Sequence, residues 1–279
     1  MRLLVVLVAV ACAAFGGRVM RPSQENLARF VSTRRVLPPQ SFSLSLPSSW
    51  DTRVAFPRCV FPIQDQGDCS SCWAFAATEV LSDRFCIASG GAVRVLLSAQ
   101  SALQCEALHW GCVMGSMPEW AWPFLVKHGA TSRDCVPYVS GNGHVPDQGC
   151  PSKCTSSNAT MKWYRAANYT QAGDFVDASR HTEAIMQALM TGPLDTTFMV
   201  YGDFDGYKSG QVYKHVSGSF EGLHSVKIIG YGTSSAGEPY WLVANSWGPT
   251  WGDNGTFKIL RGNDECMIES QVFYGQPAL

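Results

Sequence analysis

Between Ser71 and Phe85 the chain reads SCWAFAATEVLSDRF, with apolar residues at 73, 76, 77, 80, 81 and 85. That spacing predicts an α-helix with one buried stripe, and Thr78, Glu79, Ser82 and Asp83 fall between the apolar positions. Ser70 or Ser71 is the candidate N-cap, which puts Cys72 in the first turn. Two further helical patterns run from Met117 to His128, ending at Gly129, and from Thr182 to Met190, stopped by Gly192-Pro193. The second half changes character. GLHSVKIIGYG, PYWLVANSWG and NGTFKILRG are short β-rich runs bounded by glycine, proline and asparagine. Helices first and strands second predict an α+β protein of two lobes with a cleft between them.

The chain opens MRLLVVLVAVACAAFGG: Arg2, then an apolar run from Leu3 to Val10, then small residues. This is the layout of a secretory signal peptide over residues 1–16, and the run is too short to span a bilayer. No later segment approaches eighteen consecutive apolar residues, so no membrane anchor is expected. Residues 17–46 are polar, proline-bearing and weakly periodic, and read as a linker or a short removable pro-segment. Packed structure is expected to begin near Leu46.

Secretion changes how the eleven cysteines are read. Cys12 leaves with the signal, and the remainder enter a compartment where thiols oxidise to disulfides. The formal net charge of -1 and the lack of a basic stretch point away from nucleic acid and anionic lipid. Asn158, Asn168 and Asn254 each head an N-glycosylation sequon.

Candidate chemistry centres on QGDCSSCW, residues 66–73. Two cysteines three apart can be a redox dithiol, half of a zinc site, or a structural cysteine beside a nucleophile. An oxidising compartment disfavours a zinc thiolate site. The positive end of the helix dipole is expected to lower the thiol pKa of Cys72. A base must also reach it. Of six histidines, His224 stands at the head of the β-rich run Ser225 to Tyr231, where a strand end holds an imidazole rigidly. Asn245 ends the next run, and strand pairing would bring its amide to the ring. A thiolate, an imidazolium and an orienting amide are the parts of nucleophilic acyl transfer.

The ordered set Gln66-Gly67-Asp68-Cys69-Ser70-Ser71-Cys72-Trp73, His224 and Asn245-Ser246-Trp247-Gly248 resembles the papain-like cysteine peptidases. Residues 239–270, PYWLVANSWGPTWGDNGTFKILRGNDECMIES, resemble the cathepsin B branch. The resemblance implies a papain-like two-lobed α+β fold, with a helical left lobe mainly in residues 47–160 and a β-barrel-like right lobe mainly in 161–279. It implies Cys72 as nucleophile, His224 as acid/base, Asn245 as its orienter under Trp247, and Gln66 as oxyanion donor. It pairs Cys59 with Cys86, Cys69 with Cys112, Cys105 with Cys150 and Cys135 with Cys154, leaving Cys72 free and Cys266 buried. It implies peptide and protein substrates, cystatin-like inhibitors, a monomer, no metal and no organic cofactor. The expected location is the secretory pathway, in lysosome-like or secretory vesicles or outside the cell.

The chain also departs from that family. Ser70 stands where glycine is usual. Gly111-Cys112-Val113-Met114-Gly115-Ser116 keeps only Gly115 of two adjacent wall glycines, so Met114 or Ser116 is expected to narrow the left cleft wall. Leu223 and Ser225 replace a glycine and an alanine around the histidine. The segment between Cys135 and Cys150 is short and carries only His144, where cathepsin B has a longer occluding loop with two adjacent histidines. Gln271 takes the place of a glutamate at the base of the S2 pocket. These differences predict an endopeptidase with an open primed side and an apolar P2 preference. The competing class is a catalytically silent homologue that binds peptides on the same scaffold.

Overall fold

The computed structural model describes residues 17–32, 46–106, 111–172 and 178–279. The signal-peptide reading of residues 1–16 lies outside these. Seven helices run in the order α1 (Gln24–Ser32), α2 (Thr52–Ala55), α3 (Cys72–Ala88), α4 (Ala99–Cys105), α5 (Gly111–Met114), α6 (Pro118–Lys127) and α7 (Ala178–Leu189) among the described residues. The strands are β1 (Trp50–Asp51), β2 (Ala166–Ala172), β3 (Leu194–Tyr201), β4 (Val212–Tyr213), β5 (Phe220–Thr233), β6 (Pro239–Ala244), β7 (Thr256–Leu260) and β8 (Val272–Pro277).

Seven of the eight strands run β2-β8-β3-β5-β6-β7-β4, and β1 joins at β5, with Trp50 opposite Tyr231. Pairing is antiparallel except for β4 with β7. Among the described residues this is an open path, so the barrel-like expectation is corrected to an open mixed sheet. Its core joins Phe198, Trp241, Phe257 and Ile259 to Ile185 and Leu189 of α7. A second core joins α3, α4 and α6 through Trp73, Leu81, Phe85, Leu103, Trp122 and Leu125. Two hydrophobic centres define two lobes.

Helix α3 is not the one-sided amphipathic helix its pattern predicts. Every residue from Cys72 to Cys86 is buried, because the helix lies between the lobes and touches protein all round. Its polar residues are therefore paired. Lys227 on β5 reaches Glu79 at 3.1 Å and Asp83 at 2.9 Å. Arg84 donates to the carbonyls of Pro193 and Gly192.

Packed structure begins earlier than Leu46. Val19 and Met20 are almost fully buried, and α1 packs Leu27 against the helical core. The apolar residues of this segment are few, but the cleft supplies the surface that buries them. No described helix is long and apolar enough to cross a membrane.

Candidate active site

Four disulfides, Cys59–Cys86, Cys69–Cys112, Cys105–Cys150 and Cys135–Cys154, leave Cys72 and Cys266 as free thiols. Cys69 is thus held away from Cys72, and the redox-dithiol reading ends there. Cys266 is only partly buried, since its short helical turn lies at the sheet surface.

Cys72 is the first residue of α3, after Ser71. β5 passes alongside, and the backbone N–H of Ser225 lies against the Cys72 sulfur. The adjacent His224 is buried, and its Nε2 is 2.7 Å from Asn245 Oδ1. The backbone N–H of Ser246 donates to the same Oδ1 at 2.8 Å, which marks that atom as the amide oxygen. Nε2 is therefore the protonated nitrogen and Nδ1 carries the lone pair. Nδ1 is buried with no hydrogen-bond partner among the described residues. The Trp247 ring stacks on the imidazole, centroids 4.6 Å apart. The interior of strand β5, and not the strand end the sequence suggests, together with an amide and an indole fixes this histidine from three sides.

Gln66 is tied to the right lobe by its own N–H, which donates to Ser246 O at 2.9 Å. Ser246 Oγ donates to Gln66 Oε1 at 2.6 Å, so the amide nitrogen must point the other way. That nitrogen donates to Cys69 O at 2.7 Å and to Arg18 O at 3.0 Å. The Arg18 carbonyl belongs to an extended segment lying on the site. Met20 exchanges two backbone hydrogen bonds with Leu223, at 2.7 and 2.8 Å. Ser70 Oγ lies within 3.0 Å of Val19 O and 3.2 Å of Gly17 O. Gly115 sits beneath Met20 at φ +71°, where a Cβ would come within 2.6 Å of Ser70 O and 2.7 Å of Met20 Cγ. Gly222 is equally tight, with Met20 O at 2.5 Å from a built Cβ.

Covering the site reverses the expected ionisation. Burial pushes the Cys72 thiol up to about 12, against the Ser225 and Trp73 N–H groups that favour a thiolate. Burial likewise pulls His224 down to about 4, although its bond to Asn245 opposes the shift. The thiolate predicted from the helix dipole is thus corrected. Burial favours the neutral thiol and the neutral imidazole, because desolvation outweighs a partial charge at the helix end.

The remaining candidates are spread along the cleft and surface. Met114 is half-buried at the end of α5, beside Gly115 and the buried Ser116. Ser225 Oγ and Thr197 Oγ1 hydrogen-bond at 2.7 Å. Gln271 is buried and its amide donates to Glu119 Oε1 at 3.1 Å. Asn158, Asn168 and Asn254 are all exposed. His144 is exposed, with Nε2 3.9 Å from Asp147 Oδ1.

Sequence reasoning missed Tyr138, Ser246 and Glu119. Ser246 was legible as part of the Asn-Ser-Trp-Gly run, but its partner Gln66 is 180 residues away.

Residues 46–276 match the papain family of cysteine proteases, and the chain belongs to that family. Its relatives within it are cathepsin B-like. It is 43% identical over 230 residues to cathepsin B-like CP3 of Giardia intestinalis, covering 82% of this chain and 74% of that one. It is 41% identical over 258 residues to cathepsin B-like cysteine proteinase 4 of Caenorhabditis elegans, covering 84% and 76%. Among solved structures it resembles procathepsin B S9 from Trypanosoma congolense, with a TM-score of 0.78, 33% identity, and coverage of 94% and 88%. The proform of Amb a 11, a cysteine protease and major ragweed pollen allergen, matches with a TM-score of 0.71, 26% identity, and coverage of 92% and 76%.

Proposed function

We propose that this cysteine protease is an endopeptidase of the secretory pathway, with Cys72 as nucleophile and residues 17–46 as a short inhibitory pro-segment. The observation that carries the reading is the free, buried Cys72 thiol with the Ser225 N–H against its sulfur, one residue after His224, whose Nε2–H is committed to Asn245. Once the segment leaves, His224 Nδ1 takes the thiol proton. The sulfur then bonds to the substrate carbonyl carbon, and the oxyanion accepts from Gln66 Nε2 and the Cys72 N–H. His224 returns the proton to the departing amine, leaving a thioester. Water, deprotonated by His224, then attacks that thioester, releases the acid and regenerates the thiol. The Arg18 carbonyl at Gln66 Nε2 supports this assignment, since a peptide oxygen already uses that donor.

On the same reading, the short Cys135–Cys150 segment leaves the primed side open, so C-terminal dipeptide release is weak. Gln271 presents a neutral amide, hydrogen-bonded to Glu119, and so offers no charge of its own to a P2 arginine, which favours an apolar P2 side chain. Peptides and proteins are the substrates and cystatin-like proteins the inhibitors. Processed protein is treated with a peptidyl epoxide at mildly acidic pH, beside His224→Ala. A stoichiometric adduct on Cys72, lost in the variant, is expected. No adduct on folded, processed protein favours the silent peptide-binding homologue. A P2 profile in which arginine matches leucine overturns the apolar preference.

A further inference from the structure

We propose that Tyr138 is a positioning residue for the oxyanion-binding amide of Gln66, and that the short loop after Cys135 braces the catalytic loop from outside. This rests on the proteolytic reading above and adds a role for a segment that the reading leaves merely short.

The Tyr138 hydroxyl donates to the Gln66 backbone carbonyl at 2.7 Å. Its single proton being spent there, the Ser71 hydroxyl 2.8 Å away must be the donor in their mutual bond. One phenol therefore ties the residue that carries the oxyanion amide to the residue preceding the nucleophile. The Tyr138 ring packs edge-on against Phe75 of α3, centroids 4.7 Å apart, so the hydroxyl is aimed by the helix it serves. Burial pushes the phenol up to about 12, so it stays a donor across any working pH.

The rest of the loop makes the same kind of contact. Asp68 N–H donates to Gly141 O at 2.8 Å. Gly67, at φ +57°, lies so close to Gly141 that a Cβ would come within 2.3 Å of its oxygen. The loop is held in turn from below. Gln100 Oε1 accepts from the N–H groups of Val139 and Ser140, and its Nε2 donates to Ser140 Oγ. Gln66 is thus gripped on one side by Ser246 and on the other by Tyr138. Loss of the phenol hydroxyl leaves the Gln66 carbonyl and the Ser71 hydroxyl short of a partner and lets the amide drift. Oxyanion stabilisation depends on donor position to a fraction of an ångström.

The test is Tyr138→Phe in the processed protein, which keeps the ring on Phe75. A peptide aldehyde, whose tetrahedral hemithioacetal places its oxygen at the oxyanion position, and a peptidyl epoxide, whose reaction places none there, serve as paired probes. The expected result is kcat lower by about tenfold with KM within about twofold, and aldehyde affinity weaker by about tenfold. Epoxide alkylation of Cys72 stays within about twofold, and in a Gln66→Ala background the same change costs nothing further. Aldehyde affinity and kcat unchanged in the variant overturn the proposal. So does an equal fall of both probes together with the melting temperature, or a full extra loss in the Gln66→Ala background. A parent protein that the epoxide does not label overturns the proteolytic reading itself, which the variant alone cannot do.

Discussion

The backbone carbonyl of Arg18 accepts from the side-chain amide of Gln66 at 3.0 Å. The chain's own N-terminal segment thereby uses the donor assigned above to the substrate oxyanion, and Met20 packs in one buried cluster with Cys72. Removal of residues 17–46 is expected to expose Cys72 and bring its pKa down from about 12. Alkylation by iodoacetamide, followed against pH, should therefore rise only in strong alkali for the full chain. In the processed chain it should already be fast near neutrality.

Ser70, in place of the usual glycine, contacts that segment through Val19 O and Gly17 O. Ser70→Gly removes a hydroxyl whose single proton these two carbonyls share, worth about 1 kcal/mol in all. Cleavage of a fluorogenic peptide by the unprocessed chain should increase by about fivefold, with the processed enzyme little changed.

On the proposed mechanism, Gln66→Ala removes the side-chain half of the oxyanion site. A fall in kcat of about 10²–10³ is expected, with KM little altered. Steady-state kinetics on the processed protein check this. A larger change in KM than in kcat would mean that Gln66 serves binding alone.

Lys227 joins β5 to Glu79 and Asp83 of α3 inside the interface between the lobes. Burial raises the pKa of both carboxylates even though Lys227 opposes it, because one ammonium cannot offset two buried acids. Lys227→Met is expected to cost ~3–5 kcal/mol by leaving those acids unpaired, as read from urea unfolding. Replacing all three residues with apolar ones of similar volume should recover much of that loss.

Asp203 is held at about 2: burial alone would raise it, but donors from Val216, Tyr213, Ser217 and His215 together outweigh that. A depressed carboxylate pKa contributes stability above its unfolded value of about 4, lost as pH falls towards about 2. Asp203→Asn should lower the melting temperature near neutrality and flatten its decline on the acid side. Thermal scans at stepped pH values read both effects.

The residues that form the site were legible where local pattern and chemistry coincide. The helical period after Ser71 puts a cysteine at a helix start, and the β-rich run after His224 puts a histidine at a strand. The same local reading expected α3 to keep a polar face in water, and there it failed. Glu79, Asp83 and Arg84 look solvent-facing until the sheet closes over them. Strand β2 was missed as well, since Ala166–Ala172 carries a largely exposed polar face and announces no hydrophobic alternation. Residues 17–32 read as a featureless linker because their few apolar side chains find partners only in the cleft.

By itself the sequence determined the nucleophile candidate, its histidine and asparagine, and the family to which they belong. Those depend on residue type and short spacing, which a linear chain carries unaltered. Tertiary structure alone decided that burial pushes the thiol pKa up and the imidazole pKa down, since ionisation here follows desolvation and not helix position. It alone brought Tyr138 to Gln66, 72 residues away, and Ser246 to the same side chain, 180 residues away. Contacts of that range are set by packing two lobes against each other, and no local preference of the chain encodes them.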